Sequence, residues 1–249
     1  MTEVPAIWRE HRDIESFEVD MFGRLRPHVL LGLLLNGAWN CAKGTTYGYK
    51  ELNGRNLMWV LLKLQLRIKD MPKWRDRVVL ETWAKRVERL YALRDFAIRA
   101  ENGEPLVSAT TAWAILDKSN GRPQRFDQKN DGFPWLPDRE ELETDLDKVP
   151  QLDAGWEVAR YRVQFSDIDV NRHVNATKYL QWMIDSRSPE LLETNEPKKI
   201  EISFLAEAVA NDEVAVDSDG KGANPELIGI RRVGDGKELS RGKIEWGKR

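Results

Sequence analysis

Most of the chain consists of apolar, strand-like runs separated by polar turns, and two segments interrupt this pattern with helical spacing. The first begins at Pro27, a residue suited to the first turn of a helix, and extends to about Lys43. Its apolar residues are concentrated at positions 29–35 and are too many for a one-sided stripe, so this helix is predicted to be buried. A second helix is predicted at 175–186.

Strand-like runs follow each helix. They lie at 57–69, 77–89, 91–101 and 105–116 in the first half, and at 199–207, 212–218, 226–233 and 238–247 in the second. Residues 120–147 are rich in Asp, Pro and Gly and form the connecting region, with the linker placed at 136–150. Each half therefore has the same order of strand, loop, helix and several antiparallel strands.

Short sequence echoes relate the two halves. Ile98-Arg99, Asn102-Gly103 and Trp113 match Ile230-Arg231, Asp235-Gly236 and Trp246; residues 76–80 match 212–216; Ser16-Phe17 matches Gln164-Phe165. The Asn-Gly and Asp-Gly pairs predict hairpins with type I′ turns. Because the echoes come in the same order in both halves, duplication is favoured over chance similarity.

A long buried helix wrapped by an antiparallel sheet is the hot-dog arrangement. The predicted fold class is therefore α+β, a tandem (double) hot-dog with two antiparallel sheets, each wrapped around a long helix. The N-terminal domain is placed at 1–135 and the C-terminal domain at 151–249.

Composition narrows the classes of function. The 249 residues are 41% hydrophobic, and ten Trp against five Tyr predict that several indoles line a core or an apolar pocket. A formal net charge of −2 gives no global reason to expect nucleic-acid binding. No apolar run approaches the ~18 residues of a membrane span, and the amino terminus lacks a signal-peptide pattern. A cytoplasmic location is expected, with no cofactor and no metal.

Charge is unevenly distributed. Residues 61–100 contain eleven Lys or Arg against five Asp or Glu, whereas residues 138–147 contain six carboxylates against Arg139. Both runs are interpreted as solvated surface, with a basic face that docks an acidic partner as the sharper alternative. The single cysteine, Cys41, excludes an intrachain disulfide and is interpreted as a small core residue.

The chemically informative stretch precedes the second helix. Asp169, Asn171 and His173 are spaced by two, and in an extended loop that spacing would point all three to one side. Histidine changes charge near neutral pH, and a nearby carboxylate can fix its tautomer or act as a base. The amino terminus of the following helix offers backbone N–H groups for an oxyanion. Structural roles stay open, since Asp169 or Asn175 could cap the helix. The first-half loop, residues 20–26, has no such trio.

These residues resemble the signature of the acyl-acyl-carrier-protein (acyl-ACP) thioesterases, a family of plant plastid enzymes and bacterial relatives. The resemblance rests on the run from Asp169 through Asn175 to Lys178-Tyr179 and Trp182, on Asn56-Leu57-Met58-Trp59-Val60, on Pro72-Lys73-Trp74-Arg75-Asp76, and on Glu81-Thr82-Trp83. It covers nearly the whole chain in order. It implies the tandem hot-dog fold and hydrolysis of fatty acyl-ACP thioesters in lipid metabolism.

The resemblance implies catalytic roles for Asp169, Asn171 and His173. The family's further carboxylate matches Glu207, but the Cys that follows it in many plant members is Ala208 here, so a Cys nucleophile cannot operate. We therefore expect carboxylate or water chemistry: Asp169 as general base or nucleophile, with Glu207 and His173 positioning water. Asn171 would orient Asp169 or hold the carbonyl.

The first domain is expected to supply the acyl pocket, and acyl carrier protein is the expected partner. Trp59, Trp39 and Asn175 are the candidate substrate-binding residues. Two alternatives stay open, an acyl-CoA thioesterase and a non-catalytic acyl-binding sensor. Acyl chain length and further pairing into a homodimer are also left open.

Overall fold

The computed structural model describes residues 5–126, 132–144, 147–220 and 224–249. The chain divides into two units: unit 1 comprises Met1–Leu62 and Ile68–Asp145, and unit 2 comprises Lys63–Arg67 and Leu146–Arg249. Residues 1–4, on which the amino-terminal expectation partly rests, lie outside the described residues. Within the described part of the chain, no helix is both long enough and apolar enough to cross a membrane.

Unit 1 is an antiparallel sheet packed against one long helix. Its elements are β1 (Trp8–Asp13), α1 (Pro27–Ala42), α2 (Tyr49–Gly54), β2 (Leu57–Ile68), β3 (Arg77–Glu88), β4 (Tyr91–Ala100) and β5 (Pro105–Asp117). The strand order is β1-β3-β4-β5-β2. Pro27 stands in the first turn of α1, as predicted. Gly37 allows α1 to approach β3 closely, because a Cβ there would lie 2.7 Å from Leu80 Cδ2.

Burial of α1 is less complete than predicted. Leu30, Leu31 and Leu34 are fully buried, but Val29 and Leu33 remain partly exposed because α1 packs mainly against β1 and β3. Cys41 is 2% exposed, which confirms its interpretation as a core residue.

Unit 2 repeats this arrangement. Its elements are β6 (Trp156–Arg162), α3 (Ala176–Asp185), α4 (Pro189–Thr194), β7 (Asn195–Phe204), β8 (Glu213–Ser218), β9 (Glu226–Arg232) and β10 (Glu238–Lys248). Residues 63–67 of β2 pair with β7, and the order continues β7-β10-β9-β8-β6. The short helices α2 and α4 were not predicted, and β7 begins at Asn195 rather than at residue 199.

The helix of unit 2 packs through aromatic rings and one glycine. Tyr179 of α3 meets Phe204 edge-on at 5.8 Å between ring centroids, and Trp182 stacks on Tyr161 at the same distance. A Cβ at Gly242 in β10 would lie 2.6 Å from Met183 Sδ, so α3 approaches its sheet as closely as α1 does.

The two hairpins that carry Gly103 and Gly236 form as predicted, but not with type I′ turns. Only the glycines have positive φ, 88° and 69°, whereas a type I′ turn would need positive φ at Asn102 and Asp235 too. Both loops are longer than the expected two residues. Ala100 N–H donates to Glu104 O at 2.8 Å, which encloses three residues, and Arg232 N–H donates to Lys237 O at 2.8 Å, which encloses four. A three-residue loop of this kind requires left-handed backbone only at its last position.

The predicted linker is not a free connection over residues 136–144. Leu136 N–H donates to Ala84 O at 2.9 Å, and the Trp83 indole donates to Arg139 O at 3.0 Å. The buried Lys85 ammonium donates to Leu142 O at 2.9 Å. This segment, which we call the strap (residues 136–144), therefore follows β3 of unit 1. Asp145, which belongs to the acidic run, lies outside the described residues.

The strap also neutralises part of the basic run. Glu140 pairs with Lys85 at 2.5 Å and with Arg86 at 3.4 Å, and Glu141 pairs with Arg99 at 2.9 Å. Other carboxylates from outside the run pair with Lys69 and Arg77. Because Lys85 and Arg94 are buried as well, the excess of positive charge does not form one open face. Docking of an acidic partner on the exposed residues of the run stays a prediction.

A buried ion pair joins the end of α3 to the sheet of unit 2. The side chains of Arg187 and Glu226 form an ion pair and are 5% and 6% exposed. Glu226 also accepts from Ser218 Oγ at 2.6 Å and from the Trp246 indole at 3.1 Å. The carboxylate therefore has a donor on each neighbouring element.

Removal of one partner of this pair should destabilise the protein strongly. We expect Arg187→Met to lower the free energy of unfolding by about 3–5 kcal/mol, because it leaves a buried carboxylate without its counter-ion. The double variant R187M/E226Q should recover much of this loss. Urea unfolding of both variants measures the difference, and equal midpoints for the two would contradict a role for the uncompensated charge.

Candidate active site

The loop ahead of α3 is a tight turn, so the expectation of an extended loop was wrong. After a 3-10 turn at Phe165–Asp167, Ile168 and Val174 form a β-bridge. Between them, Asp169 N–H donates to His173 O at 2.8 Å, and Arg172, with φ of 67°, donates to Asp169 O at 3.0 Å.

The Asp169 carboxylate holds this turn together. Its Oδ1 accepts the backbone N–H of Asn171 at 2.8 Å and that of His173 at 3.3 Å. An aspartate that binds its own following amides favours turn over strand, which is the physical reason the loop is not extended.

Unit 1 contains the same turn without the histidine. Asp20 Oδ1 accepts Phe22 N–H at 2.9 Å and Arg24 N–H at 3.0 Å, and Asp20 N–H donates to Arg24 O at 2.7 Å. Gly23, with φ of 74°, stands where unit 2 has its left-handed arginine. The first-half loop therefore lacks the Asn and His of the trio, as predicted, but it keeps the aspartate. The loop geometry alone accounts for an aspartate at this position.

The retained aspartate of unit 1, Asp20, forms an ion pair with Arg24 of the same turn. Arg24 Nη2 donates to Asp20 Oδ2 at 2.7 Å. Burial would raise the pKa of Asp20, but the hydrogen bonds from the Arg24 side chain and from the Arg24 and Phe22 amides outweigh it, so the pKa is lowered. The alignment of the two turns also shifts the predicted Ser16-Phe17 echo by one residue, because the 3-10 turns begin at Ser16 and Phe165.

His173 meets Glu207 in unit 2. His173 Nε2 lies 3.1 Å from Glu207 Oε2, and the two side chains are 28% and 42% exposed. With the carboxylate ionised, this contact assigns the proton of a neutral imidazole to Nε2 and leaves Nδ1 as an acceptor. The Asn171 side chain is half-buried in the same turn. Two of the four predicted catalytic side chains are thus in direct contact, and the other two belong to the same turn.

Two residues that were not predicted as site residues position the Glu207 backbone. The Tyr179 hydroxyl accepts Ala208 N–H at 3.0 Å, and Arg232 Nη2 donates to Glu207 O at 2.7 Å. Ala208 O in turn accepts Val174 N–H at 2.9 Å, which ties this segment to the catalytic turn. Desolvation raises the pKa of Tyr179 to about 12, so the hydroxyl stays protonated. Tyr179 lay within the signature stretch, but only the fold reveals what it binds.

Unit 1 lacks the carboxylate of this segment. Leu25 N–H donates to Pro72 O at 2.7 Å, as Val174 donates to Ala208, so buried Met71 occupies the position of Glu207. The described part of the chain therefore holds one complete His-carboxylate site of this kind.

Asn175 caps α3. Its side-chain oxygen accepts Thr177 N–H at 3.0 Å and the Thr177 hydroxyl at 2.9 Å, which occupies that oxygen. Lys178 N–H donates to Asn175 O at 2.9 Å. The predicted oxyanion contacts at the helix start are therefore limited, because the Thr177 and Lys178 amides are already used. The substrate-binding role of Asn175 stays a prediction.

An apolar cavity, partly open to solvent, lies within unit 1. Its walls combine aromatic rings with small residues: Trp39, Tyr47, Trp59, Trp113, Phe133 and Trp135, with Ala38, Ala42, Ala84, Ala92, Leu93 and Arg94. Trp59 stacks on Phe126 at 5.6 Å and donates to Tyr47 O at 3.0 Å. Trp39 and Trp59 thus line one apolar cavity, and their contact with a substrate stays a prediction.

Loss of the Tyr179 hydroxyl should weaken the segment that presents Glu207. We expect Tyr179→Phe to lower the free energy of unfolding by about 1–3 kcal/mol, because the buried Ala208 N–H loses its acceptor. Tyr161→Phe is the matched control, since Tyr161 stacks on Trp182 and has no hydroxyl hydrogen bond among the described residues. Chemical denaturation compares them, and equal losses would show that Tyr179 acts by packing alone.

Models of one protein family match both units of the chain. The family model of the acyl-ACP thioesterase N-terminal domain matches residues 5–129, and that of the C-terminal domain matches residues 152–248. The palmitoyl-acyl carrier protein thioesterase of Cuphea hookeriana, described as chloroplastic, is 28% identical over a 260-residue alignment that covers 96% of this chain. This chain spans 62% of the length of that relative. An oleoyl-acyl carrier protein thioesterase of Arabidopsis thaliana is 26% identical, covering 100% of this chain and 78% of that protein.

Solved structures are similar over the whole chain. An acyl-ACP thioesterase from Bacteroides thetaiotaomicron gives a TM-score of 0.88 at 26% identity, covering 97% of this chain and 98% of that one. A 12:0-ACP thioesterase from Umbellularia californica gives 0.83 at 20% identity with full coverage of both, which bears on the fold alone. These structures are hot-dog folds, so the predicted tandem hot-dog class is confirmed.

Proposed function

The chain belongs to the acyl-ACP thioesterase family, and from that premise we propose that it hydrolyses fatty acyl-ACP to free fatty acid and ACP. One observation carries the proposal: His173 Nε2 lies 3.1 Å from Glu207 Oε2 in an accessible turn. A histidine held by a carboxylate is the arrangement that general-base hydrolysis requires. The location in the cytoplasm and any homodimer stay predictions.

The geometry favours His173 as the group that activates water. Glu207 accepts a hydrogen bond from Nε2–H, which keeps its proton, so Nδ1 takes a proton from water as the water oxygen attacks the thioester carbonyl carbon; the imidazole becomes an imidazolium. The tetrahedral intermediate then expels the carrier's thiolate, which takes up the proton from the imidazolium. Thiolate is a good leaving group, so little further acid assistance is needed. We assign the Asn171 side chain, which lies in the same turn as His173, the role of donor to the developing oxyanion.

Asp169 then acts as a positioning residue rather than as the base or nucleophile first considered. Its Oδ1 is engaged by two backbone amides, and Asp20 makes the same pair of bonds in a turn without histidine. The chemistry involves no cysteine: Ala208 is fully buried, and Cys41 is a core residue of α1.

The cavity of unit 1 is the proposed site of the acyl chain. Its aromatic and alanine walls, which include Trp39 and Trp59, suit an aliphatic chain. The fatty acyl-ACP carrier is expected from the family, while the surface that docks it is not located by the basic run.

Asparagine and alanine variants separate the two roles of Asp169. Asp169→Asn keeps the Oδ1 acceptor, so a positioning role predicts a loss of kcat/KM below about 10-fold, comparable with one weakened hydrogen bond. Asp169→Ala removes the acceptor and should cost more. Steady-state hydrolysis of an acyl-ACP measures both. A loss of about 10²–10⁴-fold in Asp169→Asn would instead restore Asp169 as the base.

Asp20 supplies the matched control for this test. Asp20→Ala disturbs the same turn in the unit that lacks histidine, so its effect on unfolding measures what the aspartate contributes to the turn itself. We expect Asp20→Ala to lose at least as much stability as Asp169→Ala, because it also removes the acceptor of the Arg24 side chain.

The proposed activity is tested by thiol release from a panel of acyl-ACP thioesters and matching acyl-CoAs. We expect hydrolysis of the carrier thioesters and a loss of about 10²–10⁴-fold in His173→Ala and in Glu207→Gln. The panel is run at low and high salt, because docking of an acidic carrier should weaken with ionic strength. Preference for acyl-CoA would reassign the carrier. No turnover of either, with acyl binding retained, would favour a non-catalytic sensor.

A further inference from the structure

One wall of the unit 1 cavity carries a buried cation. Arg94 of β4 is 8% exposed and lines the cavity among aromatic and alanine side chains. Its Nη1 donates to Thr82 Oγ1 at 3.1 Å. Among the residues that the structure describes, no carboxylate lies within 4 Å of its guanidinium.

A buried guanidinium without a carboxylate is unfavourable in the unliganded protein. Removal of a charge from water is costly unless an opposite charge and further hydrogen bonds compensate. Arginine has five N–H donors, and Thr82 engages one nitrogen of the three. The remaining donors therefore have capacity for a ligand.

Unit 2 also has a buried charge at the equivalent position, and there the protein itself supplies the compensating groups. The match between Ile98 and Ile230, 132 residues apart, makes Glu226 the residue of unit 2 that is equivalent to Arg94 of unit 1. Glu226 is equally buried, but it is satisfied by Arg187, by Ser218 Oγ and by the Trp246 indole. Unit 2 therefore neutralises its buried charge with its own side chains.

On the side of unit 1 that faces Arg94, the long helix carries a small residue. α1 continues to Ala42 and presents Ala38, whereas in unit 2 α3 ends at Asp185 and Arg187 follows it. Ala38 lines the cavity. In unit 2 Arg187 supplies the counter-ion of Glu226, whereas unit 1 leaves open space beside the Arg94 guanidinium.

We propose that the unit 1 cavity binds an aliphatic chain that carries a carboxylate, with the carboxylate on Arg94. The guanidinium matches a carboxylate through two parallel hydrogen bonds, and the aromatic walls match the chain. Two sources share this chemistry: a free fatty acid, which the proposed reaction would release, and an acyl thioester with a carboxylate at its far end. Binding of the acid itself does not depend on the proposed hydrolysis.

The direct test compares a fatty acid with the alcohol and the methyl ester of the same chain length. Tryptophan fluorescence reports binding, because indoles line the cavity, and calorimetry on the full chain gives the affinities. We expect the wild-type protein to prefer the acid by about 10- to 100-fold, as for a charge-assisted pair. Arg94→Met should abolish this preference and still bind the alcohol.

Two measurements guard against a merely structural effect. Arg94→Met should unfold at a denaturant midpoint no lower than wild type, because an apolar side chain replaces an uncompensated buried charge. Arg99→Met is the matched control: it lies on the same strand, pairs with Glu141 outside the cavity, and should keep the preference for the acid.

Hydrolysis assays distinguish the two sources. If the ligand is the free acid, Arg94→Met raises the inhibition constant for added fatty acid. If it is a substrate terminus, the variant loses kcat/KM for thioesters with a far carboxylate relative to methyl-ended ones. Equal affinity of wild type for acid, alcohol and ester would overturn the proposal, as would an Arg94→Met variant that keeps the preference. If no thioester is hydrolysed, the proposed function fails, but the binding comparison still decides this inference.

Discussion

One aspartate oxygen ahead of each long helix accepts hydrogen bonds from two following backbone amides, and these bonds determine the geometry of the turn. In unit 2 this aspartate is Asp169, whose Oδ1 turns the chain so that Asn171 and His173 leave the same tight loop. The bridge between Ile168 and Val174 then fixes where α3 begins. The segment of Glu207 is attached to this turn through Ala208 O and Val174 N–H. The contact between His173 and Glu207 therefore depends on backbone bonds that involve neither side chain.

The two units share this backbone frame but differ in the charges placed on it. At matched positions the first and second units have Arg24 and His173, Met71 and Glu207, and Arg94 and Glu226. At each of these positions the two units differ in charge or polarity. Unit 2 has the accessible His-carboxylate pair and a filled interior, whereas unit 1 has a closed aspartate and an aromatic cavity.

The pattern of apolar and polar residues was sufficient for the long elements. It placed both long helices and seven of the eight strands that follow them to within about two residues at both ends, because each buries a continuous apolar set. It missed α4, and hence the start of β7, because six residues bury no side chain completely and leave no pattern. The predictions of type I′ turns and of an extended loop ahead of α3 failed for one reason. Turns of the same composition differ in backbone geometry, and local hydrogen bonds and the positive φ of glycine determine which one forms.

The basic run shows why charge counted along a sequence does not locate a surface. Arg94 and Arg99 are five residues apart on one strand, yet one lies inside a cavity and the other pairs with the strap. Alternation along a strand separates two faces, but it does not say which face a helix or a strap covers. Glu141 reaches Arg99 from more than forty positions away, a distance over which local pattern carries no information. A buried arginine is stable when a carboxylate neutralises its charge. In unit 2 Arg187 and Glu226 form such a pair within the chain. In unit 1 the carboxylate that pairs with Arg94 would come from a ligand in the open space beside it.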